Sequence, residues 1–130
     1  MNTPTAPLPG LAEVEAARRR LAHGVRVTPC HVAPALNALT GRIIRLKRDD
    51  LQRTGSFKER GARHALLALT GSERAKGVVA ASAGNHALGL AYHGAQLGVP
   101  VTVVMPANAP AVKITRCRTL GAAVVLHGES

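Results

Sequence analysis

The second half of the chain alternates between short apolar runs and stretches with helical periodicity. The apolar runs predict strands at 78–81, 101–105 and 123–126. The stretches between them, each followed by a glycine, predict helices at 85–97 and 111–120. Because the strands are apolar throughout, each is expected to be buried on both faces. The pattern predicts an α/β fold of three layers, in which helices cover both faces of a parallel sheet and the crossovers are right-handed.

The first half of the chain has a less regular pattern. It predicts helices at 11–22, 33–39 and 57–69, a strand at 43–47, extended chain at 25–29 and a loop at 49–55. Gly41 and Gly71 are expected to end the second and third of these helices. Residues 1–10 contain three prolines and predict a frayed lead-in. At the other end, the chain stops directly after a predicted strand, where such a fold normally continues, so we expect a truncated fold.

The composition is typical of a globular protein with one core. Hydrophobic residues make up 46% of the chain and charged residues 18%, which argues against disorder. Phe57 and Tyr92 are the only Phe, Tyr or Trp residues, so the core must consist of Ala, Val, Leu and Ile. No uninterrupted apolar run is long enough for a membrane span, and none is predicted.

The net charge of +10 raises the question of a nucleic-acid partner. The basic residues are spread thinly after the cluster 18–20, and no aromatic residues are interleaved with them as single-strand binders require. The distribution of basic residues therefore argues against a nucleic-acid partner, and an acidic remainder absent from this chain would also explain the excess positive charge.

Cys30 and Cys117 fit no metal-ligand spacing, and the chain start lacks a secretory signal. We expect a reduced cytoplasmic protein without a metal site.

Two motifs carry candidate chemistry. Lys58 stands in the first turn of the third predicted helix, in the run Ser56-Phe57-Lys58-Glu59-Arg60-Gly61-Ala62. The second motif, Ser82-Ala83-Gly84-Asn85-His86-Ala87, follows a strand at the sheet edge where ligands bind. Its small residues and the helix N-terminus favour a carboxylate or phosphate, and Asn85 can donate to a ring oxygen. A fixed amine together with such a turn predicts a lysine-bound pyridoxal phosphate site.

Each motif also has a purely structural explanation. Asn85 could simply cap its helix, and Lys58 could be an exposed lysine next to Ser56 as the N-cap. His86 is as compatible with packing on its own helix as with substrate contact, and His93 is expected to be structural or exposed. A dinucleotide site is disfavoured, because the turn is not GxGxxG and no acidic residue follows at the required distance.

These residues closely resemble the threonine dehydratases, also called threonine/serine ammonia-lyases. That group belongs to the fold type II pyridoxal phosphate enzymes, which are related to the tryptophan synthase β chain. The resemblance runs from about Val25 to Gly128 and rests on the runs 28–29, 47–62, 82–87, 104–106 and 124–128. Cysteine synthases and threonine synthases are similar around the lysine, but they usually have threonine where this chain has His86.

The resemblance implies a role for each motif residue. Lys58 would hold the cofactor covalently and, once displaced by substrate, would remove the α-proton. Phe57 and Asn85 would also contact the cofactor, with Asn85 hydrogen bonded to its ring hydroxyl oxygen. The groups implied to receive the substrate carboxylate are Ser82, Gly84, Asn85 and His86. The implied reaction is dehydration and deamination of L-threonine, and of L-serine, to a 2-oxo acid and ammonia.

The resemblance also implies an incomplete fold type II enzyme. Residues 1–48 would be the N-terminal segment of the large cofactor-binding domain, and residues 49–130 a small parallel α/β domain, truncated at its end. The glycine-rich loop that holds the cofactor phosphate in this family is not found in these 130 residues. The expected partners are an amino-acid substrate and either further copies of the chain or a missing C-terminal half.

Two alternatives stay open at this point. Serine racemases are similar to this chain, but they commonly have a second serine at the position of Ala83, where it serves as a base on the opposite face. Because alanine cannot carry a proton, elimination is favoured over racemisation. The other alternative is a non-catalytic remnant that keeps the small domain as a binding module.

Overall fold

The computed structural model describes residues 8–129. The lead-in predicted for residues 1–10 lies largely outside the described residues. The helices are α1 (Leu11–Leu21), α2 (Pro34–Thr40), α3 (Lys58–Ala68), α4 (Gly71–Lys76), α5 (Asn85–Leu97) and α6 (Ala111–Thr119). The strands are β1 (Cys30–Val32), β2 (Arg45–Lys47), β3 (Val78–Ala81), β4 (Val101–Met105) and β5 (Ala123–Leu126). Within this part of the chain, no helix has the length and apolar character needed to cross a membrane.

Three parallel strands form the central sheet in the order β3-β4-β5. One face of the sheet, which includes Val101, Val103 and Met105 of β4, packs against α5 and α6 to form the core. The core contains no Phe, Tyr or Trp and consists largely of Ala, Val and Leu, with Met105 and Cys117. The predicted α/β fold with a parallel sheet is confirmed, and the predicted helix and strands of the segment 78–105 have the observed bounds.

The opposite face of the sheet is open in the described residues. Val79 keeps 74% of its surface exposed and Val125 keeps 48%, while Thr102 and Val104 are half-buried. The strands follow one another across the sheet in chain order, so right-handed crossovers place α5 and α6 on the same face. The second helical layer that the apolar strands predict is therefore not among residues 8–129.

The first half of the chain departs from the prediction in two places. An unpredicted strand, β1, pairs antiparallel with β2, which begins two residues later than the predicted strand 43–47. Gly71, predicted to end a helix, instead begins α4. The reason is a capping box: Thr70 donates its N–H to the Glu73 carboxylate at 2.7 Å, and the Thr70 hydroxyl accepts from the Glu73 N–H.

Candidate active site

Lys58 lies in the first turn of α3, as predicted, and is the first residue of the helix, which begins one residue later than the predicted 57. The chain reaches it through a tight turn in which Gly55 has a φ of 81° and donates its N–H to the Gln52 carbonyl at 3.0 Å. That φ favours glycine, because a Cβ would be strained there. Ser56, predicted to be the N-cap, does not cap the helix, since Phe57 occupies that position without a side-chain hydrogen bond. The Ser56 hydroxyl is buried and has no hydrogen-bond partner among the described residues.

An open cavity of about 490 Å³ lies beside this turn. It is lined by Lys47, Asp49, Asp50, Gly55, Ser56, Phe57 and Asn85. Two of the predicted cofactor-binding residues, Phe57 and Asn85, therefore reach the same cavity from different elements. The Lys58 ammonium lies 5.5 Å from the centre of the Phe57 ring, so the amine and the ring are adjacent.

The turn between β3 and α5 is closed by its own hydrogen bond. The Gly84 N–H donates to the Ser82 hydroxyl at 3.2 Å, and Gly84 is the N-cap of α5. Asn85 is thus the first residue of the helix rather than its cap. Ser82, Gly84 and His86 are half-buried and do not line the cavity. Their assignment to the substrate carboxylate stays a prediction, whereas Asn85 is placed at the cavity that Lys58 adjoins.

Several cavity residues were not predicted as site residues: Lys47, Asp49, Asp50, Gly55 and Ser56. All of them lie within the run 47–62 that carries the resemblance, which is the one sequence signal that could have found them. Of these, Lys47 donates its ammonium to the Thr28 carbonyl.

Asp49 anchors the cavity wall to α3. The Arg60 guanidinium donates to both of its carboxylate oxygens, at 2.7 and 2.9 Å, and the Thr28 hydroxyl donates at 2.6 Å. The hydrogen bonds from Arg60 hold the pKa of the Asp49 carboxyl far below its usual range, against the opposing effect of partial burial. Because Arg60 follows Lys58 by two residues, this paired contact fixes the helix end that carries the amine.

Helices α3 and α5 approach each other closely at Gly89. A Cβ built at this position would lie 3.2 Å from the Ala62 Cβ and 3.3 Å from the Lys58 carbonyl oxygen. The absence of a side chain therefore lets α3 bring Lys58 close to the first turns of α5.

We expect Gly89→Ala to lower the free energy of unfolding by about 1–3 kcal/mol, because the packed neighbours must move to admit the methyl group. Gly61→Ala is the matched control on α3, since nothing lies within 4 Å of a Cβ at that position. Its better helix propensity should stabilise the protein by up to about 1 kcal/mol. Urea unfolding of both variants measures the difference, and equal free energies of unfolding would contradict the close packing at Gly89.

The residues around this cavity fit pyridoxal phosphate, the cofactor that the resemblance implies. Phe57, which is 64% exposed, and Asn85 line one opening, and the Lys58 amine lies 5.5 Å from the centre of the Phe57 ring. These groups match an aldehyde, a flat pyridine ring and its polar substituents. Ser56 also lines the cavity, and its buried hydroxyl has no hydrogen-bond partner among the described residues. The phosphate-binding loop that the resemblance implies is not among residues 8–129.

Comparison with known proteins supports the same cofactor. Residues 21–130 match the model of a family described as pyridoxal-phosphate dependent enzyme. The chain is 48% identical over 119 residues to the L-threonine ammonia-lyase of Thermotoga maritima, a match that covers 92% of this chain and 30% of that protein.

Solved structures of related enzymes also superpose on most of this chain. The threonine deaminase of T.th. superposes with a TM-score of 0.80 at 43% identity, over 94% of this chain and 38% of that one. Serine racemase from Dictyostelium discoideum superposes with a TM-score of 0.87 at 36% identity, over 92% of this chain and 39% of that one. This chain thus spans well under half the length of the proteins that it matches, but the family model covers nearly all of it. The chain therefore belongs to the family of pyridoxal-phosphate dependent enzymes.

Proposed function

We propose that this chain supplies the amine-bearing part of an enzyme that dehydrates and deaminates L-threonine and L-serine to a 2-oxo acid and ammonia. The observation that carries the proposal is that Phe57 and Asn85 line one cavity and that the Lys58 ammonium lies 5.5 Å from the centre of the Phe57 ring. Similarity to the L-threonine ammonia-lyase of Thermotoga maritima supports this reaction within the family. In this proposal residues 49–130 form the small domain and residues 1–48 contribute to a larger one.

Lys58 has two proposed tasks at its Nζ atom. It binds the cofactor, and after substrate has displaced it, it takes the proton from the substrate Cα. When bound, pyridoxal phosphate would supply an electron sink that makes the Cα proton acidic and favours loss of the β-hydroxyl group. The rigid start of α3, held by the pair of Arg60 and Asp49, keeps the amine in place, and such positioning is a large part of catalysis.

The start of α5 is proposed to hold the ring and the substrate carboxylate. Asn85 would donate its side-chain amide to the ring hydroxyl oxygen from its place in the cavity wall. The first N–H groups of a helix have no partners within the helix, and the helix dipole makes this end favourable for an anion. Ser82, Gly84 and His86 lie around this helix end, which supports their proposed contact with the carboxylate.

The proposal is tested by borohydride reduction of the purified chain with substoichiometric pyridoxal phosphate, followed by peptide mapping. The chain has only four lysines, Lys47, Lys58, Lys76 and Lys113, so each adduct can be assigned. We expect most of the adduct on Lys58, with only minor labelling of the other three lysines. Equal labelling of several lysines, or none at all, would overturn the proposal.

Asn85→Ala is expected to lower the Lys58 adduct by about tenfold at limiting cofactor, because one hydrogen bond to the ring is lost. The matched control is Asn108→Ala, which changes an exposed asparagine in the loop after β4. Quantitative mass spectrometry of the Lys58 peptide measures the effect. An Asn85 variant that labels as well as the Asn108 variant would contradict the role of Asn85.

Serine racemisation is the second candidate reaction. The similarity in fold to serine racemase from Dictyostelium discoideum supports it. Ala83 argues against racemisation. It stands where serine racemases commonly have a serine that acts as a base on the opposite face of the substrate, and a methyl group cannot exchange a proton. Formation of pyruvate from L-serine supports elimination, whereas conversion to D-serine without pyruvate would support racemisation.

A further inference from the structure

A buried polar cluster lies between α3 and α5, on the side of α3 away from solvent. It consists of Thr54, Glu59, Arg63 and His93, and we call it the Glu59 network. The side chains of Glu59 and His93 are both 0% exposed, and Thr54 is 4% exposed. Glu59 directly follows Lys58, so this network is attached to the residue that bears the amine.

The Glu59 carboxylate holds the turn that precedes Lys58. Its Oε2 atom accepts hydrogen bonds from the Thr54 N–H at 2.8 Å and from the Thr54 hydroxyl at 3.0 Å. Thr54 is followed by Gly55, Ser56 and Phe57, all of which line the cavity. The two hydrogen bonds therefore tie one end of the cavity wall to the buried face of α3.

His93 on α5 faces the other oxygen of the same carboxylate. Its Nε2 atom lies 3.6 Å from Glu59 Oε1, and its Nδ1 atom lies 3.4 Å from Arg63 Nη1. A guanidinium can only donate, so Nδ1 must accept and the ring proton belongs on Nε2, directed at Glu59. The polar contacts thus run from Arg63 through His93 to Glu59 and meet the hydrogen bonds from Thr54.

A buried carboxylate at this place needs a reason. Taking a charged group out of water is costly, and apolar residues of similar size are often neutral or stabilising in its place. The Glu59 side chain does not face the cavity, since it is wholly buried and does not line it. What the Glu59 side chain provides is two hydrogen bonds from Thr54, which an apolar side chain could not accept. Its other oxygen faces His93 Nε2 at 3.6 Å, and neither of these two buried atoms has a hydrogen-bond partner among the described residues.

We propose that Glu59 is a positioning residue of the Lys58 site, which fixes turn and helix relative to each other while His93 orients its carboxylate from α5. This inference rests on the proposed function, because the site that it serves is the proposed cofactor site. Loss of the carboxylate should leave the fold in place but loosen the wall formed by Gly55, Ser56 and Phe57. The amine at Lys58 would then meet the cofactor less often in the productive geometry.

The test compares labelling at two lysines of the same molecule. Pyridoxal phosphate is added to the purified chain at limiting amount, borohydride traps the adducts, and the ratio of Lys58 to Lys76 labelling is measured by peptide mapping. We expect Glu59→Gln to lower this ratio by about tenfold, since glutamine has one acceptor oxygen where glutamate has two and its amide N–H group would face the ring N–H of His93. Glu15→Gln, which changes an exposed acid on α1, is the matched control and should keep the wild-type ratio.

Circular dichroism at the labelling temperature shows whether each variant is folded. A folded Glu59→Gln variant with a ratio within twofold of wild type would overturn the proposal. If that variant does not fold, Thr54→Val decides, because it removes one hydrogen bond and keeps the side-chain shape. For Thr54→Val we expect the ratio to drop threefold or more, which corresponds to about half the free-energy loss expected for Glu59→Gln. An unchanged ratio would overturn the proposal.

Nuclear magnetic resonance gives a readout without cofactor. Long-range proton–nitrogen spectra should show the His93 ring protonated on Nε2 at neutral pH, and a proton on Nδ1 would overturn the arrangement. The labelling of the wild-type chain and of the Glu59→Gln variant distinguishes failure of the proposed function from failure of the proposed role of Glu59. A wild-type chain without preference for Lys58 contradicts the proposed function itself. A wild-type preference that survives in Glu59→Gln contradicts only the role of Glu59.

Discussion

Replacement of Lys58 by alanine is expected to abolish the cofactor adduct and to lower the rate of water elimination from threonine by about 10³-fold or more. The variant removes the one amine to which both binding and proton removal are assigned. Lys47 also lines the cavity, but its ammonium is engaged with the Thr28 carbonyl and is not a substitute. The adduct is measured by mass spectrometry after borohydride reduction. Elimination is measured as the 2-oxo acid formed when this chain is combined with the C-terminal half that the resemblance implies.

Controls separate loss of the amine from loss of the fold. Lys76→Ala, at an exposed position at the end of α4, should leave both the adduct and the elimination rate unchanged. Added methylamine should restore part of the elimination rate to Lys58→Ala, because a small amine can take the proton in the space that the side chain leaves. Full activity of Lys58→Ala without added amine would refute the proposed function.

The parallel half of the fold could be predicted from sequence because its signals are local. Apolar runs bounded by glycine or proline mark β3, β4 and β5, and the helices between them end at Gly98 and near Gly121. Strand β1 has no such signal, since all three of its side chains are exposed and only backbone pairing with β2 defines it. The spacing of Thr70 and Glu73 is typical of a capping box and indicates α4, but Gly71 between them is also typical of a helix end.

The candidate site could likewise be predicted from local sequence signals only in part. Lys58 at the start of a helix and Asn85 at the start of another follow from the motifs and from helix periodicity. That Asn85 lines the cavity next to the Lys58 turn depends on the close contact at Gly89, which is a property of packing between distant segments. The burial of Glu59 depends on packing too, because an acidic residue in a first helical turn ordinarily faces water. The positions of Lys58 and Asn85 on their helices are therefore predictable from sequence, whereas the packing contacts that hold these residues are not.

The buried histidine should make stability depend on pH. Burial, together with the charges of Arg63 and Arg53, lowers the pKa of His93 from 6.5 to about 4, although Glu59 opposes the shift. The ring of Tyr92 packs edge-on against the His93 ring. A histidine with a lowered pKa in the folded state binds its proton more readily when unfolded. Its contribution to stability is therefore complete above pH 6.5 and is lost as the pH falls toward 4.

We expect wild type to lose about 2 kcal/mol more free energy of unfolding between pH 7.5 and pH 5 than His93→Gln does. Glutamine keeps a polar amide at this place but does not titrate in this range, so the difference between the two slopes isolates His93. The carboxylate of Asp49 does not contribute there, since its pKa lies far below pH 5 in the folded state and near 3.8 in the unfolded state. Urea unfolding at several pH values measures both slopes. Parallel slopes would show that His93 exchanges its proton with water as readily in the folded chain as in the unfolded one, which is incompatible with a fully buried ring between Arg63 and Glu59.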